Sequence, residues 1–451
     1  MASSLTRVPQ VGQSFVGFEG VSEVIGLCKA GLSLPNPGDY TLFSLWYTDP
    51  AMALYSLYLH IPFCHHRCAY CDFNTYAGLD EFIPAYLDAL CREAQLLGDS
   101  AGARLLVHTI FFGGGTPSLL SPGEIGHILQ VLADLFSLSE GIEITLEANP
   151  GTLSVEYLRD LRSLGVNRLS LGMQSARPEE LRLLERQHDY NDVVNAVNWS
   201  RKAGINNLNL DLIFGLPYQG LDNWQENLEQ AIQLRPDHLS LYALTLEHGT
   251  PMAQLVARGL LAEPDPDLAA EMYEWAVERL VQGGYEQYEI SNWAYHADSG
   301  VQFACQHNLQ YWRNKPYLGL GAGAHGFANG LRTANVLSPA AYIQRCQDGW
   351  VSSQEGVPVF PLTPATVNTQ PVDRATEMGE TMMMGLRLTQ EGVSRIVFQN
   401  RFDQALVEVF GEEIDELVAL GLLEWVGPGQ EILRLTARGR LLGNQVFMRF
   451  I

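Results

Sequence analysis

The sequence lacks a long hydrophobic run, and it is short of basic residues. No apolar stretch reaches the roughly 18 residues that a membrane-spanning helix requires, so we expect no segment that spans a bilayer. Lysine and arginine together number 28 among 451 residues, against 51 aspartates and glutamates, which gives a formal net charge of −23. A surface of that charge repels phosphate backbones. We therefore do not expect nucleic acid as a partner.

Cysteine is scarce and unevenly placed. The chain has seven cysteines, and three of them fall between positions 64 and 71. The disulfide framework of a secreted protein has an even and dispersed set of cysteines. The chain also begins without a positively charged segment that is followed by an apolar segment and a cleavage site. We therefore expect reduced thiols and a cytoplasmic location.

Composition and periodicity divide the chain into four segments. Glycine, serine and proline are frequent before residue 54, where no period is sustained, and prolines cluster again before the last part of the chain. The predicted segments are a weakly ordered N-terminal extension over 1–53, a large α/β region over 54–351, a Pro-rich linker over 352–373 and a C-terminal helical or winged domain over 374–451.

Short β-rich runs alternate with longer amphipathic segments from residue 54 onward. The predicted strands are Leu54–Phe63, Leu105–Phe112, Glu143–Glu147, Arg168–Met173, Asn207–Phe214 and His238–Leu244. The predicted helices between them include Glu81–Leu97, Glu124–Leu135, Val155–Leu164, Pro178–Arg186 and Asp192–Ala203. Such alternation predicts βαβ units and a mainly parallel sheet, with the carboxyl ends of the strands on one face. Six units favour a partial (β/α)6 barrel over a closed eight-fold one.

The last part of the chain reads as mainly helical. Helices are predicted over Thr376–Leu388, Phe402–Val409 and Ile414–Leu420, and short strands over Glu431–Leu435 and Val446–Ile451. Helices with a small β-wing resemble a winged-helix fold, which often binds DNA. This segment has no basic face, so we do not assign that function to it.

Three cysteines form one compact motif directly after the first predicted strand. Cys64, Cys68 and Cys71 have the spacing C-x3-C-x2-C. Three thiolates from one loop can ligate three irons of a [4Fe–4S] cubane and leave the fourth iron open. S-adenosylmethionine (SAM) chelates such an iron through its amino and carboxylate groups, and one electron from the cluster cleaves its sulfonium. The motif therefore predicts a radical SAM protein.

The alternative for these cysteines is a zinc site with His65 or His66 as the fourth ligand. Zinc sites usually pair two cysteine knuckles, and the sequence has no second knuckle. Three unrelated core cysteines are a further alternative. Both alternatives account for the spacing less well than the cluster does.

Polar or glycine-rich positions follow the next predicted strands. The second strand ends in a Gly113–Gly115 run, which lets the backbone approach a ligand closely. Glu147 ends the third strand, where a carboxylate suits the ribose hydroxyls. Asp211 lies inside an apolar strand, where a charge is costly unless it has a partner. Gln174 and Arg186 follow, although each alone is more typical of an ordinary surface group.

These motifs, in this order, resemble those of the oxygen-independent coproporphyrinogen III oxidases and their HemW relatives. The resemblance runs from about residue 54 to the C-terminus and includes the run D-L-I-F-G-L-P that begins at Asp211. It implies a partial (β/α)6 radical SAM barrel with a C-terminal helical domain. The SAM contacts that it implies are Tyr58, Gly114, Gly115, Thr116, Glu147, Gln174, Arg186 and Asp211.

Two features are similar to the HemW branch of this family. The decarboxylating oxidases have a fourth cysteine two residues after the third, and this chain has Phe73 there. The chain also has the motif H-N-x-x-Y-W, with His307, Tyr311 and Trp312. The resemblance implies a heme chaperone, with His307 as an axial ligand and the two aromatic residues beside the macrocycle. Cys305 competes as the axial ligand, and a structural histidine with core aromatics is the other interpretation.

The sequence therefore leaves three candidate functions. The favoured one is a radical SAM heme chaperone, with heme-acceptor proteins and a cytoplasmic electron donor as partners. The alternative is an oxygen-independent coproporphyrinogen III dehydrogenase of porphyrin biosynthesis. The third is a zinc-stabilised binding module without radical chemistry.

Overall fold

The computed structural model describes residues 54–296, 302–349 and 359–451. The predicted N-terminal extension over 1–53 lies outside the described residues. A 12-stranded mixed sheet with helices forms the larger unit. The smaller unit lies at the C-terminus and has a three-stranded sheet of its own.

Six adjacent strands in sequence order lie parallel in one half of the large sheet, which confirms the predicted partial (β/α)6 barrel. Its strands are β1 (Leu54–Ile61), β4 (Leu106–Gly114), β5 (Ser137–Ala148), β6 (Arg168–Gln174), β7 (Leu208–Phe214) and β8 (His238–Ala243). A two-stranded sheet of β2 (Phe63–Cys64) and β3 (Tyr76–Ala77) flanks the loop after β1. The helices are α1 (Ile83–Ser100), α2 (Pro122–Leu135), α3 (Val155–Ser163), α4 (Pro178–Leu183), α5 (Tyr190–Ala203) and α6 (Leu221–Gln233).

Further strands extend both edges of this half. The elements that follow β8 are α7 (Pro251–Ala257), α8 (Pro266–Gln282), β9 (Tyr285–Glu289), β10 (Asn292–Tyr295), α9 (Gln306–Trp312), β11 (Tyr317–Leu320), β12 (His325–Ala328), β13 (Leu331–Asn335), α10 (Pro339–Asp348) and β14 (Thr366–Pro371). Strand β14 pairs with β13, so the predicted linker over 352–373 is wrong in its second half. Pro371 ends β14 and is compatible with an edge strand, whose outer N–H groups need no partner. The strand order of the whole sheet is β14-β13-β12-β11-β1-β4-β5-β6-β7-β8-β10-β9.

Local signals explain where several helices begin and end. Helix α2 begins with a capping box between Ser121 and Glu124, and Pro122 occupies its first position. Helix α5 begins with a second capping box at Asp189, and it ends at Gly204 in the left-handed conformation. These caps satisfy backbone groups that a helix end leaves unpaired.

Alternation along the parallel strands gives the barrel two different faces. Apolar residues such as Leu57, Leu59 and Ile61 of β1 are fully buried in the main core against the helices. The residues on the other face of β1 include Ser56, whose hydroxyl accepts a hydrogen bond from Thr109 of β4 at 2.7 Å. The inner face is therefore polar, because successive side chains of a strand point to opposite faces.

The C-terminal unit has its own hydrophobic core. Its elements are α11 (Arg374–Gly385), β15 (Val393–Ser394), α12 (Arg395–Phe402), α13 (Leu406–Ala419), β16 (Leu423–Val426), β17 (Ile432–Leu435), α14 (Ala437–Leu441) and α15 (Gly443–Phe447). Helices around a small sheet agree with the predicted mainly helical, winged-helix-like domain. The strand predicted over Val446–Ile451 is wrong, since α15 occupies the start of that run. A short apolar run does not distinguish a strand from a buried helical turn.

Within the described ranges, no helix combines the length and the hydrophobicity needed to cross a membrane.

Candidate iron–sulfur and SAM site

The three motif cysteines lie together at the carboxyl ends of the parallel strands. Cys64 ends β2, and a turn in which the Cys71 N–H donates to the Cys68 carbonyl at 3.1 Å brings the other two close. All three line one cavity, which we call the cluster cavity. The sequence prediction that they act together is thus supported by their placement.

Each thiol has a polar neighbour. The Thr116 hydroxyl donates to the Cys64 sulfur at 3.5 Å, and the Arg186 guanidinium donates to the Cys68 sulfur at 3.6 Å. Burial raises the pKa of the Cys64 thiol to about 11, against which the Thr116 hydrogen bond acts. Bound iron deprotonates a coordinating thiol, and these donors favour the resulting thiolate. The donor set therefore fits a cluster held at three corners.

A single metal ion fits the same side chains less well. In the described ranges, no three His, Cys, Asp or Glu side chains lie close enough together to hold one ion. His65 and His66, the fourth ligands of the zinc alternative, lie 3.9 Å from Asp80 and 3.3 Å from Glu185, and in the described part of the chain neither joins the cysteines in such a group. The geometry thus favours the cluster over the zinc alternative.

The glycine run at the end of β4 lies directly against the cysteine loop. A Cβ atom on Gly115 would lie 2.6 Å from the Phe63 carbonyl oxygen and 3.0 Å from the Cys64 sulfur. Gly114 has a φ of +115°, which side chains rarely adopt, and its N–H donates to Glu147 at 3.0 Å. Glycine is therefore required here, because backbone and cluster ligand meet without room for a side chain.

Two carboxyl groups face the cavity from the polar side of the sheet. Burial and the charge of Asp211 raise the pKa of Glu147 to about 8. Burial also raises the pKa of Asp211, although Ser170 and Asn209 donate to its two oxygens, each at 2.9 Å. The charge of Arg168 acts against the raised pKa of Asp211, but neither acid has a basic side chain within ion-pair distance in the described part of the chain. Such a cavity is arranged for a ligand that donates hydrogen bonds or carries positive charge.

Arg186 is held firmly between the strands and the cysteine loop. Its guanidinium donates to the Asn149 side chain at 2.6 Å and to the Gly172 carbonyl at 2.8 Å, besides the Cys68 sulfur. A Cβ atom on Gly172 would approach the guanidinium to 2.8 Å. The arginine therefore places a fixed positive charge beside one cluster ligand.

Seven of the eight predicted SAM contacts line the cluster cavity, namely Gly114, Gly115, Thr116, Glu147, Gln174, Arg186 and Asp211. Tyr58 is not among the lining residues. It is buried, and its hydroxyl bonds His60 at 3.0 Å behind the glycine run. A Cβ atom on Gly113 would touch its ring at 3.0 Å, so Tyr58 supports the wall of the cavity from behind.

Sequence reasoning did not assign roles to other residues that line the cavity, among them Asn149, Ser170 and Tyr242. Asn149 bonds both Arg186 and Thr116, the latter at 3.1 Å. The sequence signal that could have identified it is its position two residues after Glu147, just beyond the third predicted strand. Ser170 and Tyr242 follow from the alternation of β6 and β8, but the register of the strands is needed to find them.

The expectation that His307 is an axial heme ligand is not supported by its place in the fold. The residue is 1% exposed in α9 and does not line the cluster cavity. Thr109 donates its proton to Ser56, so it accepts from Nδ1–H of His307 at 2.7 Å. Nε2 is left to accept from the Tyr311 hydroxyl. No lone pair remains for iron, because a neutral imidazole has one donor and one acceptor.

The neighbours of His307 are likewise engaged inside the protein. Tyr311 is buried against Tyr317 and Phe327, and the Trp312 ring lies 4.5 Å from the Arg387 guanidinium of the C-terminal unit. The buried Cys305 thiol lies 3.6 Å from Glu143, and burial raises its pKa to about 12. The motif therefore joins the barrel to the C-terminal unit, which is the structural interpretation of these residues.

The glycine run over 319–326 is also filled by the protein itself. A Cβ atom on Gly319 would lie 1.8 Å from the His325 carbonyl oxygen, and one on Gly321 would lie 2.6 Å from that of His60. These glycines allow backbone segments to pass each other. They offer no open face to a flat ligand.

The fold and the cluster cavity together define a radical SAM protein. The family model of the radical SAM superfamily matches residues 58–231, and that of the HemN C-terminal domain matches residues 372–442. The chain belongs to the HemW family, as its similarity to curated proteins shows. Membership of the radical SAM class implies a [4Fe–4S] cluster and SAM as cofactors.

Three curated relatives span most of the chain. The heme chaperone HemW of Bacillus subtilis (strain 168) is 36% identical over 397 residues, which cover 88% of this chain and 99% of that protein. HemW of Mycobacterium tuberculosis (strain ATCC 25618 / H37Rv) is 35% identical, with 87% and 93% covered. The mitochondrial radical S-adenosyl methionine domain-containing protein 1 of Mus musculus is 38% identical, with 82% and 81% covered.

The solved structure of coproporphyrinogen III oxidase (HemN) from Escherichia coli, described as a radical SAM enzyme, has the same fold. Its TM-score is 0.74, and the match covers 92% of this chain and 93% of that one. The sequences are 24% identical, so this likeness shows the fold alone.

Proposed function

We propose that this protein is a heme chaperone that carries a [4Fe–4S] cluster and SAM, binds heme and transfers it to acceptor hemoproteins. The observation that carries the proposal is the near-complete match to proteins named heme chaperones, which covers 99% of the Bacillus subtilis relative. The intact cluster cavity supports the radical SAM part of it.

The cysteine loop supplies the cluster ligands in this proposal. Cys64, Cys68 and Cys71 hold three irons, and Thr116 and Arg186 stabilise two of the thiolates by hydrogen bonding. When bound, the cluster with SAM supplies one-electron reductive chemistry. The loop shields this centre from water on the sheet side, because the glycine run packs directly against it.

The strand ends supply the proposed SAM contacts. The backbone of Gly114 and Gly115 lies beside the cluster loop, which suits the methionyl end of SAM. Glu147 and Asp211 lie further along the same cavity wall, where Glu147 suits the ribose hydroxyls. In their ionised form the two acids also favour the positive sulfonium by Coulomb attraction. Gln174 is proposed as a further contact.

Coproporphyrinogen III dehydrogenase activity is the second candidate, and the shared fold is the observation in its favour. Phe73 lies on the cavity wall at the position of the oxidases' fourth cysteine, where it presents an apolar ring instead of a thiol. We therefore rank this activity below the chaperone function. A cytoplasmic electron donor that reduces the cluster, and a cytoplasmic location, complete the proposal.

Anaerobic incubation with reductant, SAM and coproporphyrinogen III separates the two candidates. The chaperone function predicts that wild-type protein forms no decarboxylated product while it binds added heme with a Soret absorption band. A protein that decarboxylates the porphyrinogen and shows no Soret band would reverse the ranking. A Phe73→Cys variant, assayed in parallel, shows whether that single position separates the two activities.

A further inference from the structure

A histidine of the cysteine loop faces the cluster cavity, unlike the buried His307. His66 is the one histidine in the described part of the chain that lines this cavity. Its side chain is 45% exposed, whereas His307 is 1% exposed. An exposed imidazole at the mouth of a cavity can reach a ligand from solution, and a buried one with two hydrogen bonds cannot.

A carboxylate orients this histidine. Nε2 of His66 lies 3.3 Å from Glu185, whose φ of +56° is rare for a residue other than glycine. The residues on either side of Glu185 contact the same loop, because Leu184 packs with Ala69 and Arg186 bonds Cys68. The turn therefore places Glu185 beside the cysteine loop, within hydrogen-bonding distance of His66. A histidine that donates one ring N–H to a carboxylate offers its other nitrogen as a metal ligand.

The neighbouring residues suit a flat, apolar ligand with acidic side chains. Tyr70, Phe73 and Leu244 line the same cavity, and Tyr70 and Leu244 pack on a hydrophobic cluster that includes Met252. Arg67 also lines the cavity, is exposed, and makes a hydrogen bond of 3.3 Å to the Phe73 carbonyl. Its guanidinium has five donors, so it can bind a carboxylate as well.

We propose that heme binds at the mouth of the cluster cavity with His66 as an axial ligand and Arg67 beside a heme carboxylate. This inference rests on the proposed chaperone function. Iron then receives an imidazole that Glu185 holds in place, and the macrocycle packs against apolar side chains that exclude water. The cluster, SAM and heme would thus meet in one cavity.

The test is a titration of ferric heme into cluster-loaded full-length protein under anaerobic conditions. We expect His66→Ala to bind heme at least tenfold more weakly and to shift the Soret band. Added imidazole should restore the wild-type spectrum by replacing the missing ligand. His65→Ala is the matched control, because this exposed neighbour does not line the cavity, and it should titrate like the wild type.

A second variant leaves the loop sequence unchanged. Glu185→Gln keeps the shape of the side chain but removes its charge, so we expect roughly tenfold weaker heme binding and an altered Soret band. Iron and sulfide content of each variant shows whether the cluster survives. If His66→Ala loses the cluster, the test of the axial ligand rests on Glu185→Gln. Unchanged heme binding by Glu185→Gln then overturns the inference.

The outcomes distinguish the inference from the function on which it rests. If His66→Ala binds heme with the same affinity and the same Soret band as the wild type, the ligand assignment is overturned but the chaperone function is not. Absence of any Soret band in the wild-type protein overturns the chaperone function and the inference with it.

Discussion

At the scale of single residues, the acids of the inner barrel face determine how the cavity responds to pH. Burial and Asp211 raise the pKa of Glu147 to about 8, so the carboxyl group is largely protonated at neutral pH in the ligand-free protein. An ionised carboxylate accepts hydrogen bonds more strongly than a carboxylic acid. The affinity for a ribose diol therefore depends on the ionisation of this side chain.

Glu147→Gln tests that role. In the wild-type protein, SAM affinity should rise as the pH increases through about 8. The variant should lack this rise and should bind SAM roughly tenfold more weakly at the higher pH, because loss of a charged hydrogen-bond acceptor costs about 1–3 kcal/mol. Calorimetry one unit below and one unit above that pH measures both effects. Unchanged affinity with the same pH dependence would give Glu147 a structural role.

The same raised pKa acts on the stability of the ligand-free chain. Its folded value of about 8 lies above the ordinary 4.5, so the folded state holds the proton more tightly than the unfolded state. The contribution of this group to the free energy of unfolding is fully present below pH 4.5, and it is lost as the pH rises through about 8. Glu147→Gln should therefore flatten the pH dependence of the melting temperature in that window.

The cluster ligands give a further prediction. Serine at Cys64, Cys68 or Cys71 should abolish the absorption of the [4Fe–4S] cluster, because a neutral hydroxyl is a poor ligand for these irons. Serine at Cys91 or Cys346 should leave it intact, since neither lines the cavity. Absorption spectra and iron content check both. Full iron content without Cys68 would contradict the assignment.

His307→Ala should act on stability and not on heme. The change removes the hydrogen bond from His307 to Thr109 and leaves the buried Tyr311 hydroxyl without its acceptor, which costs about 2–4 kcal/mol, and heme ligation is unaffected. Chemical denaturation and a heme titration measure the two properties separately. A shifted Soret band in a variant of unchanged stability would restore His307 as the ligand.

The residue scale also shows what the sequence could predict of the site. Chemistry at a strand end is visible in sequence, so the cysteines, the glycine run, Glu147 and Asp211 could be placed in advance. The surroundings of His307 could not be predicted, because a histidine motif looks the same whether its ring faces a cavity or a buried threonine. The position of Tyr58 behind the glycine run likewise depends on the packing of neighbouring strands.

At the scale of elements, the end of β4 is the most constrained part of the site. Gly115→Ala would force a Cβ atom to within 2.6 Å of a backbone carbonyl, so the cysteine loop must shift. We expect a loss of about 1–3 kcal/mol in stability and impaired cluster assembly. Denaturant unfolding and iron content after reconstitution measure these effects.

Gly123→Ala is the matched control for this prediction. Gly123 lies in α2, and the nearest atom to a Cβ there is 3.9 Å away. Alanine should be neutral or stabilise by about 0.5–1 kcal/mol, because glycine weakens a helix. Equal effects of the two changes would show that the packing at the end of β4 is not tight.

Elements were predictable where the pattern was long and regular. The six parallel strands and their helices follow from apolar runs that alternate with amphipathic segments. Strand β14 was not predictable because four prolines lie around it, and its pairing with β13 depends on a distant segment. Helix α15 was misread as a strand because its apolar run is too short to show a period.

At the scale of the whole molecule, the C-terminal unit is tied to the barrel through the helix that follows Cys305. Glu143 of β5 accepts hydrogen bonds from the N–H groups of Gln306 and His307 at 3.1 and 3.0 Å, while Trp312 stacks with Arg387 at the other end of the helix. The chain has a formal net charge of −23, yet two arginines, Arg67 and Arg186, line the cluster cavity.

The central claim is that one chain carries a cluster at Cys64, Cys68 and Cys71 and also binds heme. The most direct measurement is the quantification of non-heme iron, acid-labile sulfide and heme in one anaerobic sample of heme-saturated full-length protein. We predict about four irons and about four sulfides per chain, together with stoichiometric heme. A sample that contains zinc without sulfide, or a complete cluster without heme, would contradict the account.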